Sequence, residues 1–128
     1  MRRDRQRAID AYGWARAART AGHLPDYETA VQAFAAALLR SGLAVAVSVL
    51  ERDCKDNLAA QQLRANLAKA VAITLPANQG DITASAWPGA VRALSDLATY
   101  RRMTREIVAL LAWLRLACRA AQDEDSKQ

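Results

Sequence analysis

Cysteine, histidine and long apolar runs are all scarce in this chain, and each scarcity removes a class of function. Two cysteines, Cys54 and Cys118, and one histidine, His23, stand in 128 residues. Without a Cys-x-x-Cys pair or a second histidine, the sequence offers neither a structural zinc site nor a dithiol redox centre. Two thiols in an otherwise unstapled chain fit a reducing compartment, and a chain of this length buries enough surface to fold as one domain, residues 1–128, without a disulfide. The strongest apolar runs are Ala33–Leu39, Leu43–Val47 and Ile107–Leu114. All fall short of the roughly 18 to 20 residues that cross a bilayer. Arg2-Arg3 is followed by Asp4-Arg5-Gln6-Arg7, not by the apolar stretch of an export signal. A cytoplasmic location without membrane partners is expected. With His23 isolated and the carboxylates scattered, no acid–base, nucleophilic or metal-binding constellation and no phosphate loop is legible. Neither an enzyme nor a cofactor is expected.

Charge is present in quantity and is unevenly placed. The net charge is +5, and all but Lys55, Lys69 and Lys127 of the basic residues are arginine. Residues 1–22 carry six arginines against Asp4 and Asp10, and residues 99–121 carry five against Glu106, whereas residues 23–98 are close to neutral. The positive excess therefore sits on the two terminal segments.

The few glycines and prolines punctuate segments with helical periodicity, which predicts an all-α bundle of five to six helices. A first helix is expected over Arg3–Ala21, stopped by Gly22 and a His23-Leu24-Pro25 link. Ala8, Ala11, Ala15 and Ala18 form a small-residue stripe on it, and Gly13, which costs about 1 kcal/mol relative to alanine in a helix, points to a tight contact. A second helix should run from Asp26 to Ser41, with Val31, Phe34, Ala35, Leu38 and Leu39 inward and Gly42 as its stop. Leu43–Arg52 alternates like a strand at Leu43, Val45, Val47 and Val49, yet a lone strand would leave its backbone groups unpaired, so helix is the expectation. A fourth helix over Asp56–Ile73 places Leu63, Leu67, Ala70 and Val71 inward and Gln61, Arg64 and Lys69 outward. Leu75–Ser85 reads as a loop, Ser85 as the cap of a short helix through Leu94, and Asp96 or Thr99 as the cap of the last helix. About 123–128 should be a frayed acidic tail.

That last helix, Thr99 to Gln122, divides into two faces. At about 100° per residue, Met103, Ile107, Leu110, Leu114, Ala117 and Ala121 gather on one side, and Arg101, Arg105, Arg115 and Arg119 gather on the other. A solvated face would more often mix signs, but this one holds no carboxylate. Glu106 falls near the apolar side and is expected to pair with Arg102 or with an arginine of the first helix.

The string Tyr100-Arg101-Arg102, Thr104-Arg105-Glu106, Leu110-Leu111, Trp113-Leu114-Arg115 resembles the C-terminal signature of the small helical subunit of type III-B CRISPR effector complexes, the Cmr small subunit of the RAMP module. Tyr27 through Leu39 with Ser41-Gly42-Leu43-Ala44, Ala46 and Leu50, and Ala11-Tyr12 with Trp14, agree with that family in order and spacing. The resemblance implies a non-catalytic antiviral subunit that stacks in several copies beside a backbone subunit and a large polymerase-like subunit, and that helps to hold guide RNA and single-stranded target RNA. Asp53-Cys54-Lys55 and Gln79-Gly80-Asp81 depart from the pattern.

The candidate RNA-contacting residues are Arg101, Arg105, Arg115 and Arg119, with Arg102 at the stripe's edge and Arg5, Arg16 and Arg19 on the first helix, joined into one surface only if the terminal helices lie side by side. The alternatives are a solvated face or ion pairs to a protein partner. Trp113, at the border of the apolar face, and Leu116, an apolar residue among arginines, are the candidate partner-interface residues. A small DNA-binding regulator is the competing function, although no segment pairs a short turn with a base-reading helix.

Overall fold

Gly22 closes the first helix in the left-handed conformation that glycine adopts without strain, with φ of 82°. Its N–H donates to the Arg19 carbonyl and that of His23 to the Ala18 carbonyl, at 3.0 and 3.1 Å, the two bonds of a Schellman stop. The computed structural model describes residues 2–74, 87–94 and 96–126, without the side chains of Arg2, Asp125 and Ser126. Within them the chain forms α1 (Arg2–Thr20), α2 (Leu24–Ser41), α3 (Leu43–Asp53), α4 (Leu58–Thr74), α5 (Trp87–Arg92) and α6 (Leu97–Ser126). No strand occurs among the described residues. The expected loop over Leu75–Ser85 and its Ser85 cap lie outside them.

The helix starts differ from expectation for local reasons. The second helix begins at Leu24, not Asp26, because Pro25 fits the first turn, where its missing N–H is not needed. The fourth begins at Leu58, since the Asn57 side-chain oxygen accepts from the N–H groups of Ala59 and Ala60 at 2.9 and 3.2 Å. Asp96 caps the last helix, accepting from the Ala98 N–H and the Thr99 hydroxyl. Its carboxyl is held below the ordinary 3.8, chiefly by the Thr99 hydrogen bond and then by the Ala98 N–H. At its far end α6 runs through the expected frayed stretch to Ser126, where Glu124 pairs with Arg19 of α1.

The ambiguous third segment is helical. Leu43, Ala46, Val47 and Leu50 are buried, at the i, i+3, i+4, i+7 spacing, while Val45 is exposed and Val49 half-buried, so the period is that of a helix and not of a strand. Its start is held from a distance. Gly42, with φ of 89°, has no side chain to cap α3, and the Tyr100 hydroxyl from α6 accepts the Ala44 N–H at 3.0 Å. Two sequence stretches quoted for the family resemblance, Ser41-Gly42-Leu43-Ala44 and Tyr100-Arg101-Arg102, thus meet in space.

The core is one cluster drawn from all six helices. Trp87 is fully buried, its indole N–H donating to the Arg64 carbonyl at 2.8 Å. Tyr27 is buried with its hydroxyl accepting from Asn66 at 2.8 Å, which satisfies the one polar atom of each that the core would otherwise strand. Burial pushes the Tyr27 phenol well above its usual range. Arg64 and Gln61, expected outward, are half-buried, and the Gln61 amide donates to the Cys54 carbonyl at 2.7 Å.

Candidate nucleic-acid interface

The first and last helices lie side by side and parallel. Arg7 donates to Glu106 through Nε at 3.1 Å and through Nη2, and Arg3 pairs with the same carboxylate, while a full helix length further on Arg19 meets Glu124. Ala11, Ala15 and Ala18 are buried between these two ion-pair stations; side chains this small let the helix axes approach closely. Glu106 therefore takes the second of its two expected partners, the first helix, and Arg102 instead donates to the Thr99 hydroxyl at 3.3 Å.

This seam sorts the charge. Of the carboxylates on α1, Asp4 pairs with Arg7, and Asp10 pairs with Lys69 of α4 at 2.9 Å and accepts from Gln6. On α6, Glu106 and Glu124 face α1. Of the described carboxylates on these two helices, Glu106 is buried in the seam, Asp4, Asp10 and Glu124 are ion-paired, and Asp123 is exposed. Arg101, Arg102, Arg105, Arg115 and Arg119 are all exposed, as are Arg5 and Arg16. Among the described residues no carboxylate pairs with Arg101, Arg105, Arg115, Arg119, Arg5 or Arg16. Arg19, held by Glu124 and half-buried, belongs to the seam instead.

The exposed arginines stand on both terminal helices. On α6 the stripe is centred roughly 140° around the helix from Glu106 and Glu124, at about 100° per residue. Arg115 and Arg119 there line a groove against Glu28 and Gln32 of α2, with Ala112 and Leu116. Arg5 and Arg16 lie roughly 120° around α1 from its buried alanines, at about 100° per residue. The terminal helices do lie side by side, the condition that a joint basic surface requires.

Along the α2–α6 groove the sequence reading needs one correction. Leu39, expected inward, is 78% exposed. Measured around α2 it falls with Glu28 and Gln32, not with Leu38, and together with Val108 and Leu111 it lines the apolar end of the groove. Leu116 is 54% exposed within the arginine set, while Trp113 is half-buried and packed against the edge of the core. A second correction concerns Gly13: a Cβ there would meet nothing within 4 Å, so no contact inside the chain explains it.

The thiols are chemically quiet. Burial pushes the Cys118 thiol up to about 11 and also raises that of Cys54. His23 stands before α2 as its N-cap residue, without a side-chain capping bond. Among the described residues no group of three or more His, Cys, Asp or Glu side chains converges to hold a metal, and no helix is long and apolar enough to cross a membrane.

No curated protein matches this sequence. A solved structure does match the fold: the X-ray crystal structure of a CRISPR-associated Cmr5 family protein from Thermus thermophilus superposes with a TM-score of 0.73 over 92% of this chain and 98% of that one, at 21% identity. At that identity the likeness speaks for the fold. The family model for CRISPR-associated protein Cas_Cmr5 matches residues 3–121, from the ion-paired start of α1 to the last core alanine of α6. By that match the chain belongs to the Cmr5 family of CRISPR-associated proteins, the small subunit of type III-B systems.

Proposed function

We propose that this chain is a non-catalytic scaffold of a cytoplasmic type III-B effector complex, and that its exposed arginines neutralise the backbone of single-stranded guide and target RNA. The observation that carries this reading is the sorting of charge: Asp4, Asp10, Glu106 and Glu124 of the terminal helices are ion-paired, leaving Asp123 near the end of α6, and Arg101, Arg105, Arg115 and Arg119 stand in a row without a carboxylate partner among the described residues. Forked guanidiniums on a rigid helix suit phosphate oxygens and require no base order. Arg102 sits at the edge of the row, and Arg5 and Arg16 offer a second contact on α1. Leu116, with Leu39 and Val108, gives the α2–α6 groove the apolar component expected of a surface that meets a neighbouring subunit: another copy of this chain, the backbone subunit or the large polymerase-like subunit. Trp113 supports that surface from the core edge. Family membership favours this reading over a DNA-binding regulator. Fluorescence anisotropy with a labelled single-stranded RNA tests the proposal. Replacing Arg101 and Arg115 with glutamine is expected to weaken binding equally for unrelated RNA sequences; unchanged affinity would reject the stripe as an RNA contact.

A further inference from the structure

The outer face of α1 carries a combination that the fold itself does not use. Ile9 is 56% and Tyr12 39% exposed, although both are large apolar groups on a helix whose alanines make the core. Gly13 lies beside them, exposed, in the middle of a helix of 19 residues. Inside the chain, alanine would serve better there, because it favours the helix and its Cβ would meet no atom within 4 Å. Glycine at such a place fits a backbone that something outside the chain must approach closely. Arg5 and Arg16 bracket this spot, on the same side of the helix at about 10 Å before and 6 Å after Tyr12 along the axis. Both are exposed without a carboxylate partner among the described residues, while Asp4 and Asp10 of the same helix are engaged with Arg7 and Lys69.

We propose that α1 holds a base-stacking site for single-stranded RNA, in which the Tyr12 ring stacks on a base, Gly13 lets the nucleotide lie against the helix backbone, and Arg5 and Arg16 contact the flanking phosphates. The inference rests on the RNA-binding reading above and adds a site that charge alone does not reveal. The occupant follows from the chemistry of the face. Two bare guanidiniums on either side of an aromatic ring complement a polyanion with flat bases, and stacking on tyrosine tolerates any base. An acidic protein helix would be complementary to the arginines as well, and the test separates the two.

The full-length chain and its variants are titrated with a labelled single-stranded RNA of mixed sequence, and thermal melting and association with the other complex subunits are followed in parallel. Tyr12→Leu keeps the apolar bulk and loses the ring: affinity should fall about tenfold with an unchanged salt slope, because no charge is removed. Tyr12→Phe should bind like the parent. Gly13→Ala should raise the melting temperature by about 4 °C and yet weaken RNA binding, a split that a purely structural glycine would not produce. If Tyr12→Leu and Gly13→Ala bind RNA like the parent while Arg101→Gln with Arg115→Gln binds weakly, the α1 site is overturned and the arginine stripe stands. A parent chain without measurable RNA affinity overturns both. Loss of subunit association at unchanged RNA affinity makes this face a protein contact and overturns the proposal as well.

Discussion

Single residues in this protein divide by whether their charge is spent on the fold. Asp96 is spent on it: its carboxylate takes the Ala98 N–H and the Thr99 hydroxyl at the start of α6. The folded-state pKa of Asp96 is lowered, so its stabilising contribution is complete above the ordinary carboxylate value and is lost as pH falls through the depressed folded value. Asp96→Asn keeps a capping oxygen and removes the titration, so melting curves recorded between about pH 2 and pH 6 should show a shallower acid-side loss for the variant than for the parent. Identical slopes would deny the carboxylate that role. The cap was legible in the sequence as a choice between Asp96 and Thr99, and the structure uses both, with Thr99 buried beneath the carboxylate it donates to. Asn57 was not legible, because Asp56 beside it is an equally good cap residue by type and only geometry selects between them.

At the scale of elements, the informative contacts are those that join segments far apart in sequence. The Tyr100 hydroxyl closes an N–H at the start of α3 that Gly42 leaves open, 56 residues away. Tyr100→Phe strands that donor in a half-buried place and should cost about 1 kcal/mol, read as a shift in the midpoint of urea unfolding with unchanged slope. At the α1–α6 seam, Glu106→Gln leaves Arg3 and Arg7 facing each other over a buried amide. A loss of about 2 kcal/mol is expected, smaller than for a fully buried pair because Arg3 reaches solvent. Helix periodicity made α2, α4 and α6 visible in advance, and the inward residues of α6 are all buried as their spacing implies. Leu39 was misread because it sits next to buried Leu38 in sequence, and only the packed neighbours of the helix decide which side of it faces out; at Gly13 the cost of glycine in a helix suggests a tight contact, and no atom of the chain supplies one.

For the whole molecule, a parallel pair of terminal helices, clamped by Arg3 and Arg7 on the buried Glu106 and by Arg19 on Glu124, engages these three arginines and leaves the others exposed. Net charge, read from composition, says that an anionic partner is favoured. It does not say which arginines are available, and this is the part of the site that the sequence could not supply, since the pairing partners of Arg3, Arg7 and Arg19 lie about a hundred residues away. Residues of one type therefore divide into those that clamp the fold and those left exposed, which the proposed function assigns to RNA. The salt dependence of single-stranded RNA affinity, measured for the parent, for Arg101→Gln with Arg115→Gln, and for Arg3→Gln with Arg7→Gln, tests this division most directly, because both pairs remove the same charge. The outer pair should make the slope of log affinity against log salt shallower by about 1.4 and leave the melting temperature within about 2 °C of the parent's. The inner pair should lower the melting temperature and, measured where it is folded, keep the parent's slope. Equal changes in slope for both pairs would mean that net charge alone governs binding, and would contradict the division of the arginines into clamping and outward-facing sets.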